Sequence, residues 1–432
     1  MNIKAGNLSH SARTSVLAQL RQARTQIRGG SWLSRSNSAY RCGGAFCHAT
    51  TQQGVEFIAS AGVLHLYDGW SYLGNSLRAL VKNEPFVVGH LAYYAELRAA
   101  MSILASMGIV NFGDDTYCVD KTMCIRKLPC LGDAIKGTHQ VLWNRLSDAL
   151  SAKVRPPEFM RIPEVFKIGG LSLEDWVTGL SGGHSGLAIV AGYITKWGMD
   201  IQHYDTDRKI RNKLSYDISF YQGAQRNQHN DVINLLADFW SCFEAIDTNN
   251  FAVDYYMLWV MLQSVKNAKG WNDEQYKKEL QLFLRTTAMS EVDQARHVDM
   301  LTSLPGNLSR LLRLSGKLAP KSKKYYLHII ARAVLMLRIA TVLCGDAFRK
   351  VGLSVADVSW WIKGLAQEKG LWGCEPENFS DLHEDVKNAI EELQTRNANS
   401  YSDFLINNFK SESNPFPILG FSEYIMLWGL PS

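Results

Sequence analysis

A mainly α-helical fold is predicted, with one small β-hairpin, a basic N-terminal arm and two helical domains. Three observations predict it. Apolar residues recur at helical spacing through most of the 432 residues. Only Thr116 to Val119 and Thr122 to Arg126, flanking Asp120-Lys121, read as a hairpin. The whole formal excess of +5 sits in the first 55 residues, which carry Lys4, Arg13, Arg21, Arg24, Arg28, Arg35 and Arg41 and no acid. The rest of the chain is slightly acidic. With 46% hydrophobic and 11% aromatic residues the chain can bury a large core. The expected division is a basic arm over 1–55, a helical domain with the hairpin over 56–248, and a helical domain with an aromatic tail over 249–432.

Val88 to Met107 reads as a helix closed by Gly108. Its stripe Tyr93, Leu97, Met101, Leu104 faces a core, and Tyr94, Arg98, Ser102, Ser106 form a polar stripe. Glu96 lies among Ala92, Ala99 and Ala100, small residues that let another helix approach. Thr138 is an N-cap signal for His139 to Leu150, and Ser172 with Asp175 has capping-box spacing. Asp205-Thr206-Asp207 is the expected cap of a short basic helix from Arg208 to Tyr216. Asp231 to Ile246 is apolar, and Asp247 to Asn250 is the expected domain boundary. Beyond it come an aromatic helix over Tyr255 to Gln263, an amphipathic one over Asp273 to Thr287, and one from Ser290 to Pro305. Tyr325 to Leu343 is the central apolar helix, Ser354 and Asp357 cap a helix bearing Trp360 and Trp361, and Asp381 to Arg396 is a charged surface helix.

The arm has three readings: a transit segment, a surface helix from Ser11 to Ile27, or a contact to nucleic-acid phosphates through Arg13, Arg21, Arg24 and Arg28. The eight cysteines contain no Cys-x-x-Cys, which points to reduced thiols and a cytoplasmic location. Tyr325 to Gly345 is long enough to span a membrane, but Arg332 and Arg338 within it would each cost about 2.5–3.5 kcal/mol to insert, so no membrane association is expected. In a buried helix those arginines need carboxylate partners, so Glu96, Arg98, Arg332 and Arg338 are the candidates for polar locks within the core.

No cofactor or metal site is expected. Gly183-His184-Ser185-Gly186-Leu187 lacks the closing glycine of a nucleophile elbow, and no phosphate-binding glycine loop follows a strand. Asp114, Asp115 and Asp120-Lys121 at the hairpin give a weaker alternative, a metal-dependent DNA nuclease.

Two segments carry a resemblance to a known family. The Ala- and Ser-rich helix with Tyr93-Tyr94, Glu96 and Arg98 and the later helical pair Arg211-Asn212 resemble the HEPN superfamily, helical proteins of bacterial toxin and antiviral defence systems. The resemblance covers at most residues 85–245. In active members a histidine follows the Arg-Asn pair by four to six residues, and the two form a metal-independent site on single-stranded RNA. Here Lys213-Leu214-Ser215-Tyr216-Asp217 follows, and the next histidine is His229. The resemblance therefore implies a non-catalytic subunit of a defence system, binding partner proteins in a complex and nucleic acid through the arm. The alternative it leaves is a ribonuclease using Arg211, Asn212 and Tyr216. A phenol with its ordinary pKa near 10 is a poor base at neutral pH. The reading favoured for Arg211 is an ion pair with Glu96 inside the core.

Overall fold

The fold is described from a computed structural model, over residues 51–112, 115–119, 125–128, 137–150, 161–182, 189, 192–193, 201–216, 229–247, 250–303, 310–316, 322, 324–357, 381–396, 401–410 and 414–431. The arm with Arg13, Arg21, Arg24 and Arg28, the Gly183–Gly186 segment, Asp114, Asp120, Trp360, Trp361 and the Tyr216 side chain lie outside the described residues.

The protein is mainly helical. Two long helices, α1 (Thr51–Val81) and α2 (Pro85–Ser106), form an antiparallel hairpin. Pro85 opens α2, where the missing N–H is not needed. Residues 51–55 of α1 belong to the segment expected to be arm. A three-stranded antiparallel sheet follows: β1 (Ile109–Phe112), β2 (Asp115–Val119) and β3 (Ile125–Lys127), with β2 central. The sequence reading anticipated β2 and β3; β1, a four-residue strand directly after the helix cap, was not anticipated. Next come α3 (Thr138–Leu150), α4 (Arg161–Val165), the two-residue strands β4 (Lys167–Ile168) and β5 (Leu171–Ser172), and α5 (Leu173–Ser181). Ser172 caps α5 with the expected reciprocal pair: its Oγ accepts from the Asp175 amide at 3.0 Å and Asp175 accepts from the Ser172 amide.

The helix α6 (Ile201–Tyr216) is already helical at Ile201, about two turns before the expected start at Arg208. Asp205, Thr206 and Asp207 are therefore inside it rather than capping it, and Asp207 is buried. The remaining helices are α7 (His229–Ser241), α8 (Ala252–Lys269), α9 (Asp273–Arg285), α10 (Glu291–Thr302), α11 (Tyr326–Val351), α12 (Asp381–Thr395), α13 (Tyr401–Phe409), α14 (Phe416–Leu419) and α15 (Glu423–Trp428).

The core does not divide at residues 247–250. The central helix α11 packs along α2 and α1, and α15 packs on α1, so elements from both expected domains bury one hydrophobic cluster. The physical reason is compositional. Ala92, Ala95, Ala99 and Ala100 give α2 a flat face, fully buried, on which the bulkier α11 can lie closely. Trp70 of α1 joins the halves too, donating from its indole nitrogen to Thr341 Oγ1 at 3.2 Å and touching the Phe243 ring edge-on. The aromatic tail docks on its own chain: Ser422 Oγ donates to the Trp70 carbonyl at 2.6 Å.

The α11 helix is long and apolar enough to cross a membrane, and 89% of its most apolar window is buried within the protein. Its two central arginines are both paired. Arg338 donates to both oxygens of Asp254, at 2.7 and 2.8 Å, and stacks over Phe251. Arg332 Nε donates to Glu96 Oε1 at 3.1 Å and its Nη2 to Asp207 Oδ2 at 2.5 Å. Tyr325 Oη also donates to Asp207, at 2.6 Å.

At the β4–β5 turn, Gly169 adopts φ +57° and a Cβ there would fall 2.2 Å from His297 Nε2. Gly169→Ala combines backbone strain with a clash against a buried ring, so a loss of about 1–3 kcal/mol is expected in urea unfolding. An unchanged midpoint would mean that the turn and ring are not in contact.

Candidate functional site

The Arg211 guanidinium lies where α2, α3 and α6 meet. Helical spacing on α6 puts Tyr204, Arg208 and Arg211 on one face, with Asp207 one turn before Arg211 and turned toward α11. On α2 the adjacent Tyr93 and Tyr94 straddle the contact with α6, and His90 lies one turn earlier. His139 enters from the first turn of α3, just after Gly137, whose φ of +86° sets the chain into that helix.

These residues make a compact polar cluster. Arg211 Nη2 donates to Tyr94 Oη at 3.1 Å and lies 3.3 Å from His139 Nε2. Its Nη1 donates to Asn212 Oδ1 at 2.9 Å. The guanidinium carbon is 5.3 Å from the centre of the Tyr94 ring and 5.5 Å from that of Tyr93, a cation–π arrangement. His139 Nδ1 is 2.8 Å from Tyr93 Oη. Arg211 can only donate, so His139 Nε2 presents a lone pair to it and Nδ1–H donates to the Tyr93 oxygen. The tautomer is thereby fixed: the histidine points its basic nitrogen at the arginine.

The electrostatics favour an anion. Arg211 has no carboxylate partner among the described residues, whereas Arg208 donates to Asp205 at 2.9 Å. The Nε–H groups of both arginines are buried without an acceptor among the described residues. Burial and then the neighbouring Arg211 and Arg208 charges push the His139 pKa down to about 4, and burial with Arg211 lowers that of His90. Both rings are neutral at pH 7 beside an uncompensated guanidinium. An arriving phosphate would satisfy the arginine donors and raise the basicity of His139.

Arg211 does not pair with Glu96. Glu96 is met by Arg332 of α11, while Arg211, one turn beyond Asp207 on α6, stops at Tyr94. The expected lock has a different cation, and Arg211 is left to the tyrosine–histidine cluster. Arg98 lies in neither group: its Nη1 is 3.0 Å from His65 Nδ1 and 3.6 Å from Asp68, with Tyr72 beneath it. Asp115 of the hairpin is bound by Lys127 at 2.6 Å. Among the described residues no three His, Cys, Asp or Glu side chains are grouped to hold a metal ion. Cys118, Cys242 and Cys344 are reduced and buried.

The sequence reading missed His139, which lies 72 residues before Arg211. A spacing rule written for one helix cannot find a partner on another. The local signal was Gly137-Thr138-His139, a histidine in the first turn of a helix.

Buried His65 is also neutral, its pKa pushed down to about 3 by burial. An unfolded histidine takes up a proton near pH 6.5, which the folded one resists. Stability should therefore be intact above pH 6.5 and fall as pH drops toward 3, by about 1.4 kcal/mol per unit from this group. His139 adds a smaller, partly screened loss over pH 6.5 to 4. Urea titrations of wild type and His65→Gln check this: the variant should have the shallower slope between pH 6.5 and 4, and equal slopes would refute it.

No family model, characterised protein or solved structure matches the chain.

Proposed function

We propose that this protein is a HEPN-like, metal-independent ribonuclease of a bacterial antiviral defence system, acting on single-stranded RNA at the Arg211–His139 site. The observation that carries the reading is the 3.3 Å approach of Arg211 Nη2 to a histidine nitrogen held in its basic tautomer. That pairing supplies, from another helix, the histidine missing after Arg211-Asn212. Arg211 would bind a non-bridging oxygen of a phosphodiester, and His139 Nε2 would take the proton of the adjacent 2′-hydroxyl. The 2′-oxygen then bonds to phosphorus, the bond to the 5′-oxygen breaks, and the departing oxygen takes a proton from water. The products are a 2′,3′-cyclic phosphate and a 5′-hydroxyl end. Arg211 would stabilise the charge that builds on the phosphorane oxygens.

The test is cleavage of a single-stranded RNA oligonucleotide in EDTA by the wild type and by Arg211→Ala. Loss of activity in the variant supports the reading; equal rates reject it.

One observation favours a second reading, a non-catalytic subunit. Burial and two arginines depress His139, so it is a weak base until an anion binds. In that reading the same site holds RNA without cutting it, inside a complex with partner proteins, and the basic arm adds phosphate contacts. Deleting residues 1–30 should then weaken RNA binding and flatten its dependence on salt, because four arginines (Arg13, Arg21, Arg24, Arg28) are removed. An unchanged salt slope, read by fluorescence anisotropy, would remove the arm from the account.

A further inference from the structure

We propose that a cavity sharing no residue with the Arg211 cluster, between β4–β5, α10, α11 and residues 428–431, binds a mononucleotide-sized organic phosphate. The cavity holds about 440 Å³. Ligand sites commonly run from about 300 to 1,000 Å³, so it is too large for a bare oxyanion and suits a small organic molecule.

Three cationic side chains reach it from three elements: Lys167 of β4, Arg296 of α10 and Arg349 of α11. They are not equally committed. Arg296 donates to Asp293 at 2.7 Å. Arg349 is 63% exposed and only 4.0 Å from Asp346, whose other oxygen is held by Lys350 at 2.9 Å. Lys167 extends an exposed side chain at the rim. Two loosely held cations beside a third match a phosphoryl dianion, which has several oxygens to share among them. Arg338, also in the wall, is occupied by Asp254 and acts as structure.

The rest of the lining fits the organic part. Met289, Val342 and Leu430 offer apolar surface. The Asp247 and Asp293 carboxylates can accept from hydroxyl or amino groups. Behind them Tyr255 donates to Asp247 at 3.4 Å and lies 3.0 Å from His297 Nδ1. His297 is fully buried, and its Nε2 has no partner among the described residues. The pair Gly169-Gly170 forms part of the rim, and beside Gly170 a Cβ would meet only open space. Such a lining, with anion receptors next to hydroxyl acceptors and apolar walls, is that of a sugar-phosphate or nucleotide site rather than of a plain anion site.

The test is calorimetric titration of the full-length chain with AMP, ribose 5-phosphate, adenosine and inorganic phosphate. AMP and ribose 5-phosphate should bind, and Lys167→Ala/Arg349→Ala should weaken AMP by at least about tenfold in Kd. Both side chains are exposed, so the double variant should melt like the wild type. AMP binding that is lost in Arg211→Ala but kept in Lys167→Ala/Arg349→Ala would assign it to the RNA site and overturn the proposal. The proposal is overturned if AMP fails to bind at millimolar concentration or binds the double variant equally well. Adenosine binding as tightly as AMP would remove the phosphoryl group from the recognition. Inorganic phosphate binding as tightly as AMP would reduce the cavity to an anion site.

Discussion

Arg332→Ala should cost about 3–5 kcal/mol of stability, a large share of the roughly 5–15 kcal/mol that holds a folded protein together. The argument rests on what the arginine leaves behind. Glu96, Asp207 and Arg332 are all essentially excluded from solvent, at 2%, 1% and 0% exposure. Two ionised carboxylates around one guanidinium would bury a net negative charge. Burial, with Asp207 alongside, holds the Glu96 carboxyl well above the usual range against the pull of Arg332. Burial alone would lower the Arg332 pKa, but Asp207 and Glu96 outweigh it and keep the guanidinium charged. One proton shared between Glu96 and Asp207 beside the charged Arg332 makes the group neutral as a whole, with the negative charge drawn to Asp207 by its shorter contacts to Arg332 Nη2 and Tyr325 Oη.

This assignment separates the two acids. Glu96→Gln replaces a neutral carboxyl with a neutral amide of the same shape and should cost no more than about 1 kcal/mol. Asp207→Asn removes the shorter contact to the guanidinium and lets Glu96, freed of the neighbouring carboxylate, ionise against Arg332, so it should cost about 2–3 kcal/mol, more than Glu96→Gln. Urea unfolding of the three variants checks it. Equal losses for Glu96→Gln and Asp207→Asn would show that both acids are ionised. The triad also positions the site, since Asp207 is one turn from Arg211 on α6 and fixes that helix against α11 and α2.

The second large effect is expected at the site itself. His139→Gln keeps a polar side chain of similar reach but removes the base, and should slow RNA cleavage by about 10²–10⁴-fold while leaving binding within a factor of a few. Arg211→Ala removes the phosphate donors and should reduce both binding and rate. Arg211→Lys should not restore the rate, because an ammonium cannot bridge Tyr94, His139 and a phosphate as the planar guanidinium does. The pH profile carries the same signature. His139 titrates near 4 in the free protein, so the rate should hold constant from pH 8 down to about pH 5 and drop below it. A drop centred near pH 6.5 would mean that the ring is solvated and not held by Arg211.

Much of the fold was legible because helices announce themselves locally. The α11 helix, the Ser172–Asp175 cap and the long α2 stripe follow from residues within a few positions of one another. What escaped was non-local. The sequence marked Glu96, Arg332 and Arg338 as charges needing partners, but Asp207 and Asp254, the acids that complete those pairs, come from helices far away in the chain. Asp207 was read as a helix cap because Asp-Thr-Asp before a basic run is ordinary capping chemistry; burial of its face decided otherwise. The expected boundary at 247–250 failed for a similar reason: a polar turn marks a bend in the chain, and only packing shows whether the core stops there. Arg211 was paired with Glu96, whereas Arg332 meets that acid and Arg211 meets Tyr94.

The most direct measurement uses two RNA oligonucleotides in EDTA, one all-ribose and one with a single 2′-deoxy position at the cut, and identifies the product ends by mass spectrometry. The account predicts a 2′,3′-cyclic phosphate from the first, no cut at the deoxy position in the second, and no product from Arg211→Ala or His139→Gln. Binding of RNA with no cleavage would contradict the catalytic claim in favour of a non-catalytic subunit, and product from either variant would move the chemistry away from the Arg211–His139 pair.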